Sequence, residues 1–175
     1  PIRTDAGLRP CTIISRGPGA WQVRVAMGEA RVGGADERVD AAGGRHTFRR
    51  VDVGNPHAVL WSNEPWVDAR RLGPEVENAP AFPRQTNVAF VRRAGPDAVE
   101  AVVHERGCGI TQACGTGATA VFAALTARGE HDPRRALAVH LPGGAVTIER
   151  DQRSGHLLMT GPAEVVFTGT MPWQG

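Results

Sequence analysis

The chain has 175 residues, 41% of them hydrophobic and 22% charged, with a formal net charge of +2. These are globular values, so wholesale disorder is excluded, and the length suits one domain or parts of two. So small a net charge gives no case for nucleic acid or an anionic membrane surface as partner, and no apolar run approaches the roughly 18 residues of a membrane span. The arginine pairs Arg49-Arg50, Arg70-Arg71, Arg92-Arg93 and Arg134-Arg135 read as solvated surface rather than a phosphate-binding patch.

In chain order, Cys11–Ile14 and Trp21–Met27 flank a Gly17-Pro-Gly19 turn and predict a hairpin, the second run alternating with period two. Residues 28–46, rich in glycine and charge, read as a loop. Phe48–Val53 leads through Gly54-Asn-Pro-His57, a turn signature because proline biases the preceding asparagine away from the helical region, into a strand Ala58–Trp61. Pro65–Leu72 predicts a short helix, followed by a proline-rich connection to Pro83. Strands are expected over Thr86–Arg93 and Ala98–Glu105. After Cys114 a helix runs to a C-terminal glycine, Gly129. Short strands Ala136–His140, Ala145–Glu149, Leu157–Thr160 and Glu164–Phe167 close the chain, with Pro142-Gly-Gly144 turning between the first two.

The helix after Cys114 decides the fold class. Ala118-Thr-Ala-Val-Phe-Ala-Ala-Leu-Thr-Ala127 has no charge on any face, and a helix apolar all round belongs in a core. Many short strands and one such helix predict an α/β (α+β) domain, a mixed or antiparallel sheet wrapped around a central apolar helix.

Chemistry concentrates at that helix's start. Cys114 stands in a glycine-rich turn, where the positive end of the backbone dipole favours a thiolate. The N–H groups of Gly115, Thr116 and Gly117 lack intrahelical acceptors and can hold an anion beside the sulfur. That pairing suits proton transfer at the α-carbon of an amino acid. Inversion needs an acid and a base on opposite faces, so one cysteine cannot complete it. The other cysteines, Cys11 and Cys108, read as structural. Three widely spaced cysteines make no disulfide framework, which points to a reducing, cytoplasmic setting. Cys108-x5-Cys114 lacks the second Cys/His pair of a zinc site.

Glu105-Arg-Gly107, Ala113-Cys-Gly-Thr-Gly117, Gly54-Asn-Pro-His57, Phe82-Pro-Arg-Gln-Thr-Asn-Val-Ala-Phe90, Leu141-Pro-Gly-Gly144 and Met159-Thr-Gly-Pro162 occur together. The set closely resembles the C-terminal half of the diaminopimelate epimerase family, from Val23 to the end of the chain. The resemblance implies cofactor-independent conversion of L,L-diaminopimelate to the meso isomer, with the substrate carboxylate between two opposed helix starts and one cysteine at each. On that resemblance Cys114 is one catalytic cysteine, and His57 and Glu105 match the pair that tunes the cysteines. Gly115 and Thr116 match the groups holding the α-carboxylate. Asn55, Asn87, Glu105 and Arg106 match contacts to the remote amino and carboxylate groups. Two positions depart from the family pattern: Ile110 replaces an acidic residue, and Cys108 a small non-thiol residue.

The resemblance further implies that residues 1–28 are trailing strands of an N-terminal half not in this sequence. Residues 29–163 would be the cysteine-bearing C-terminal domain and residues 164–175 a tail returning to the first. Beginning at Pro1 in strand-like sequence, the chain reads as a fragment or processed product. It is expected to be inactive alone, to leave Trp21 and Trp173 poorly covered, and to belong to a homodimer of complete subunits. Other readings are a proline or hydroxyproline racemase of the same fold, a thiol hydrolase or transferase using Cys114 as nucleophile and His57 as base, and a non-catalytic binding module. The racemases typically carry Asp-Arg-Ser-Pro where Ile110-Thr-Gln-Ala113 stands here.

Overall fold

A computed structural model describes residues 1–4, 7–18 and 20–172. The first strands are β1 (Ile2–Thr4), β2 (Gly7–Arg9), β3 (Cys11–Arg16) and β4 (Ala20–Gly28). There follow β5 (Arg31–Val32), β6 (Glu37–Ala41), β7 (Gly44–Asp52), β8 (Pro56–Trp61) and the first helix, α1 (Pro65–Glu77). Then come β9 (Asn87–Gly95), β10 (Ala98–Glu105), β11 (Gly109–Ile110), the helix α2 (Gly115–Ala127), β12 (Leu137–Leu141), β13 (Gly144–Arg150) and β14 (Leu157–Glu164). Gly19 of the first predicted turn and Trp173 lie outside the described residues.

One large mixed sheet carries the strand order β3-β4-β14-β13-β12-β10-β9-β8-β7-β5, with β11 beside β10 and β6 beside β7. The β8–β9 and β10–β12 pairs are parallel and the others antiparallel. β1 and β2 form a separate hairpin.

The sheet winds round α2, which packs on β5, β7, β8, β9, β13 and β14, as a helix apolar on every face requires. Phe122, Val121 and Leu125 of α2 are buried with Val59, Leu137 and Ile148. α1 covers the opposite face, over β6, β9, β10 and β11, and encloses Phe48, Phe82, Phe90, Leu60 and Leu72. Along β8, β9 and β10 successive side chains therefore alternate between two buried layers. Val59, Ala89 and Val103 face α2, while Leu60, Phe90 and Val102 face α1. Covering on both faces explains why these strands read as continuous apolar runs.

Three expectations needed correction. Residues 28–46 are not a loop: β6 and β7 form a hairpin through Ala42-Gly43, whose φ values of 47° and 72° suit a tight hairpin turn. Its alternation, Arg38 and Asp40 out with Val39 and Ala41 in, is masked in sequence by the surrounding glycines. α1 runs past Leu72 to Glu77 with Pro74 inside it. Beside it, Gly73 lets the helix lie directly on His104, because a Cβ there would stand 2.7 Å from that ring. Finally, Leu157–Glu164 is one strand and residues 165–172 form none. Trp21 is exposed, as are Ile13, Ile14, Val165, Val166 and Phe167.

Candidate active site

The glycine turn places Cys114 as the N-cap of α2, in extended backbone (φ −139°, ψ 101°), so its side chain folds back over the helix start. Its Sγ accepts the Gly117 N–H at 3.4 Å and lies 3.5 Å from Thr116 Oγ1. Gly117 has no alternative at this point: a Cβ would stand 2.9 Å from Val103 and 3.2 Å from the Cys114 sulfur. Gly115 is similarly tight, with the Met159 thioether 3.0 Å from where its Cβ would be. The Ala113-Cys-Gly-Thr-Gly117 and Met159-Thr-Gly-Pro162 motifs thus meet in space.

Burial is the largest influence on the Cys114 thiol and raises its pKa above the ordinary value. Thr116 and the Gly117 N–H pull the other way, and the Glu105 carboxylate adds to the rise by charge and by hydrogen bonding. Burial thus overrides the expectation that the helix start favours the thiolate. Desolvation of a charge outweighs two hydrogen bonds.

The Gly54-Asn-Pro-His57 turn delivers two groups to the same place. His57 is fully buried at the start of β8, and burial, reinforced by the Arg106 charge and opposed by that of Asp52, lowers its pKa to about 4. Its Nε2 lies 3.2 Å from Asn55 Oδ1, and the Asn55 amide donates to Thr116 Oγ1 at 3.3 Å. Asn87 pairs with His57 in the parallel β8–β9 register. It is buried and engages both ends of its amide with backbone, donating to Pro56 O at 2.9 Å and accepting from Arg106 N–H at 3.0 Å. Asn87 therefore ties the asparagine turn to the Glu105-Arg106 turn.

That second turn joins β10 to β11. Glu105 accepts a 2.6 Å hydrogen bond from the Thr111 hydroxyl, and Arg106 donates to Arg84 O at 3.0 Å. Below it, Glu77 at the end of α1 receives the Gly107 N–H at 2.9 Å and lies 2.9 Å from the His104 ring. A cavity of about 540 Å³ opens beside the helix start, lined by Asn55, Arg106 and Thr116 and by Val25, Met27 and Arg9. Every predicted site residue is thus brought to one neighbourhood: Cys114, Gly115 and Thr116 on α2, Asn55 and His57 at β8, Asn87 on β9, Glu105 and Arg106 at β10.

Sequence reasoning missed Thr111 and Arg9. Thr111 lies inside the motif region, and a hydroxyl six residues from a carboxylate across a tight hairpin was the available signal. Arg9 reaches the cavity from the β1–β2 hairpin and donates to Met27 O at 2.7 Å, with no pattern to mark it. Cys108 is exposed and Cys11 half-buried, and both are free thiols. No described helix is long and apolar enough to cross a membrane.

A thiol next to Thr116, the N–H groups of a helix start and a guanidinium lining the adjacent cavity can bind a carboxylate and move a proton next to it. The family model described as diaminopimelate epimerase matches residues 49–166. The diaminopimelate epimerase of Parabacteroides distasonis is 41% identical over 169 residues, which are 96% of this chain and 62% of that protein. That of Rippkaea orientalis is 38% identical over 151 residues, 86% of this chain and 53% of its own length. The chain therefore spans little more than half the length of such relatives. Among solved structures, a hydroxyproline epimerase from Agrobacterium vitis with bound trans-4-hydroxy-L-proline superposes with a TM-score of 0.66 at 20% identity. The match covers 93% of this chain and 57% of that one, and it shows a shared fold.

Proposed function

This chain belongs to the diaminopimelate epimerase family, and from that premise we propose that it supplies one half of a two-thiol epimerase active site. The substrate is L,L-diaminopimelate and the product its meso isomer, a precursor for lysine and cell wall, made without a cofactor. The observation that carries the reading is Cys114 at the N-cap of α2, beside the first-turn N–H groups and a cavity lined by Arg106.

In the step proposed, a thiolate on one face of the α-carbon takes its proton. The C–H bond breaks, an S–H bond forms, and the electron pair spreads into the carboxylate. A thiol on the opposite face then delivers its proton to that carbon, and the two sulfurs exchange protonation states. Cys114 is one of the pair. The backbone N–H groups of Gly115 and Thr116 hold the α-carboxylate, where preorganised donors stabilise the charge as it develops. Arg106 grips the remote carboxylate in a bidentate fork, with Asn55, Asn87 and Glu105 around the remote groups. His57 and Glu105 tune the thiol. Burial keeps it protonated at rest, which suits the proton-donating role.

The second thiol belongs to a preceding half of the enzyme, so residues 1–28 and 164–175 pack against that half and residues 29–163 form the half seen here. The exposed Ile13, Ile14, Trp21, Val165, Val166 and Phe167 support this arrangement, because they gather on β3, β4 and the segment after β14. The complete subunits pair as a cytoplasmic homodimer.

Proton NMR of L,L-diaminopimelate in D2O tests the proposal, with this chain alone and with a separately expressed first half. Deuterium at one α-carbon and meso product only after mixing is the expected result. Inversion by this chain alone would overturn the two-half account. Absence of exchange from a folded, associated pair would overturn the substrate assignment.

A further inference from the structure

We infer that His57, Asn55 and Thr116 form a one-way hydrogen-bond relay that commits the Thr116 hydroxyl hydrogen to the Cys114 sulfur. His57 and Asn55 are in this sense positioning residues for the thiol, acting through Thr116. The inference deepens the reading of Cys114 as the reacting thiol and rests on it for its purpose, while the relay itself is a matter of geometry.

The direction follows from one unpartnered atom. His57 Nδ1 is buried without a hydrogen-bond partner, whereas Nε2 lies 3.2 Å from the Asn55 amide. Burial keeps the ring neutral, so it carries a single N–H. Placed on Nδ1, that hydrogen would be a buried donor with no acceptor, the arrangement folded proteins avoid most strictly. Placed on Nε2, it meets Asn55 Oδ1. The orientation of the Asn55 amide is thereby set, and its Nδ2 faces Thr116 and donates to Oγ1 at 3.3 Å. With that N–H pointing at it, the Thr116 oxygen must aim its own hydrogen elsewhere, and Cys114 Sγ at 3.5 Å receives it. The Gly117 N–H, at 3.4 Å, is the second donor to the same sulfur.

Two donors on a sulfur stabilise its thiolate relative to its thiol. The charged group acting on Cys114 from another element is the Glu105 carboxylate at the end of β10, and it acts in the opposite sense. The relay thus offsets part of the rise that burial and Glu105 impose, and it does so with neutral groups alone. A protonated His57 would repel the substrate's ammonium groups; a neutral one orients the donor without that cost.

The chain contains no tyrosine, so its ultraviolet thiolate absorbance can be titrated without phenolate interference. Cys11→Ser and Cys108→Ser leave Cys114 as the one thiol, and thermal melts confirm that each variant is folded. In that background Thr116→Val should raise the titration midpoint by roughly one pH unit, about tenfold less thiolate at a fixed pH below it. Thr116→Ser, which keeps the hydroxyl, should retain the parent midpoint. Asn55→Ala, or Asn55→Ser if the alanine variant does not fold, should raise the midpoint in the parent and add nothing in the Thr116→Val background. An unmoved midpoint in Thr116→Val overturns the inference. So does an Asn55 effect that persists without the Thr116 hydroxyl, or one confined to melting temperature. No substrate is needed, so the relay and the epimerase reading fail separately.

Discussion

The two helices begin in opposite ways. α1 opens on Pro65, whose missing N–H removes one of the donors that a helix start leaves unpaired. It also carries Asp68 in its first turn, where the carboxylate accepts from the Ser62 hydroxyl at 2.6 Å and the Arg71 guanidinium at 3.1 Å. α2 opens on Gly115-Thr116-Gly117 with no acidic residue in its first turn. The first helix neutralises its own N-terminus and serves as scaffold. The second gives its Gly117 N–H to the Cys114 sulfur and has no carboxylate to neutralise its first turn, and its apolar body anchors that end in the core. Both helices have a buried histidine near their inner face, and these differ in the same way. His104 under α1 faces the Glu77 carboxylate at 2.9 Å, whereas His57 near α2 has a neutral amide.

The largest test of this contrast is activity. With the first half proposed above added, Cys114→Ala should lower the epimerisation proposed for this chain by about a thousandfold, the loss expected when a proton-transfer group is removed. Asp68→Asn at the other helix start should stay within about twofold in the same NMR assay. A comparable loss from Asp68→Asn would break the division between scaffold and site.

The next effect is pH dependence of stability. His57 has a folded-state pKa of about 4 against an ordinary 6.5, so between these values the unfolded chain binds a proton that the folded chain refuses. Its contribution is complete above pH 6.5 and is lost as pH falls towards 4, amounting to about 3 kcal/mol. Urea titrations across that window should show the loss in the parent chain and flatten it in His57→Gln. An equally steep profile in the variant would place the sensitivity elsewhere.

Glycine contacts sharpen the comparison further. Gly73→Ala would drive a Cβ to 2.7 Å from the His104 ring, and Gly117→Ala would bring one to 2.9 Å from Val103. Each should cost about 1–3 kcal/mol in thermal or chemical denaturation. Only Gly117→Ala should also move the Cys114 thiolate titration, because only its Cβ meets the sulfur. Smallest of all, Trp66→Ala on the exposed start of α1 should change stability by no more than about 0.5 kcal/mol.

Much of this was legible beforehand because it rests on local chemistry. A chargeless helix has to be buried, Gly129 has the positive φ of a helix-ending glycine (72°), and Cys114 before three small residues has to cap the helix. The family resemblance also pointed to Asn55, His57, Glu105 and Arg106, which the fold brings close together at the start of β8 and the end of β10. What escaped was contextual. Pro74 reads as a helix stop, and only the packing of α1 on β9 and β10 shows the helix carried past it to Glu77. Val39 and Ala41 look like loop residues until β7 pairs with them. The reversal of the thiol's tendency depends on how deeply α2 is enclosed, a quantity no local pattern carries. Asn87 shows the same limit: the family resemblance suggested a substrate contact, and its two backbone bonds appear only when distant turns meet.

The asparagine–threonine contact that orients the sulfur joins residues 61 positions apart. The strands that bury that sulfur likewise come from distant parts of the chain. A thiol reagent therefore reaches Cys114 chiefly when the fold opens, whereas it meets the exposed Cys108 in the folded chain. One labelling experiment on the intact chain thus reads two things at once, the surface from Cys108 and the opening of the core from Cys114.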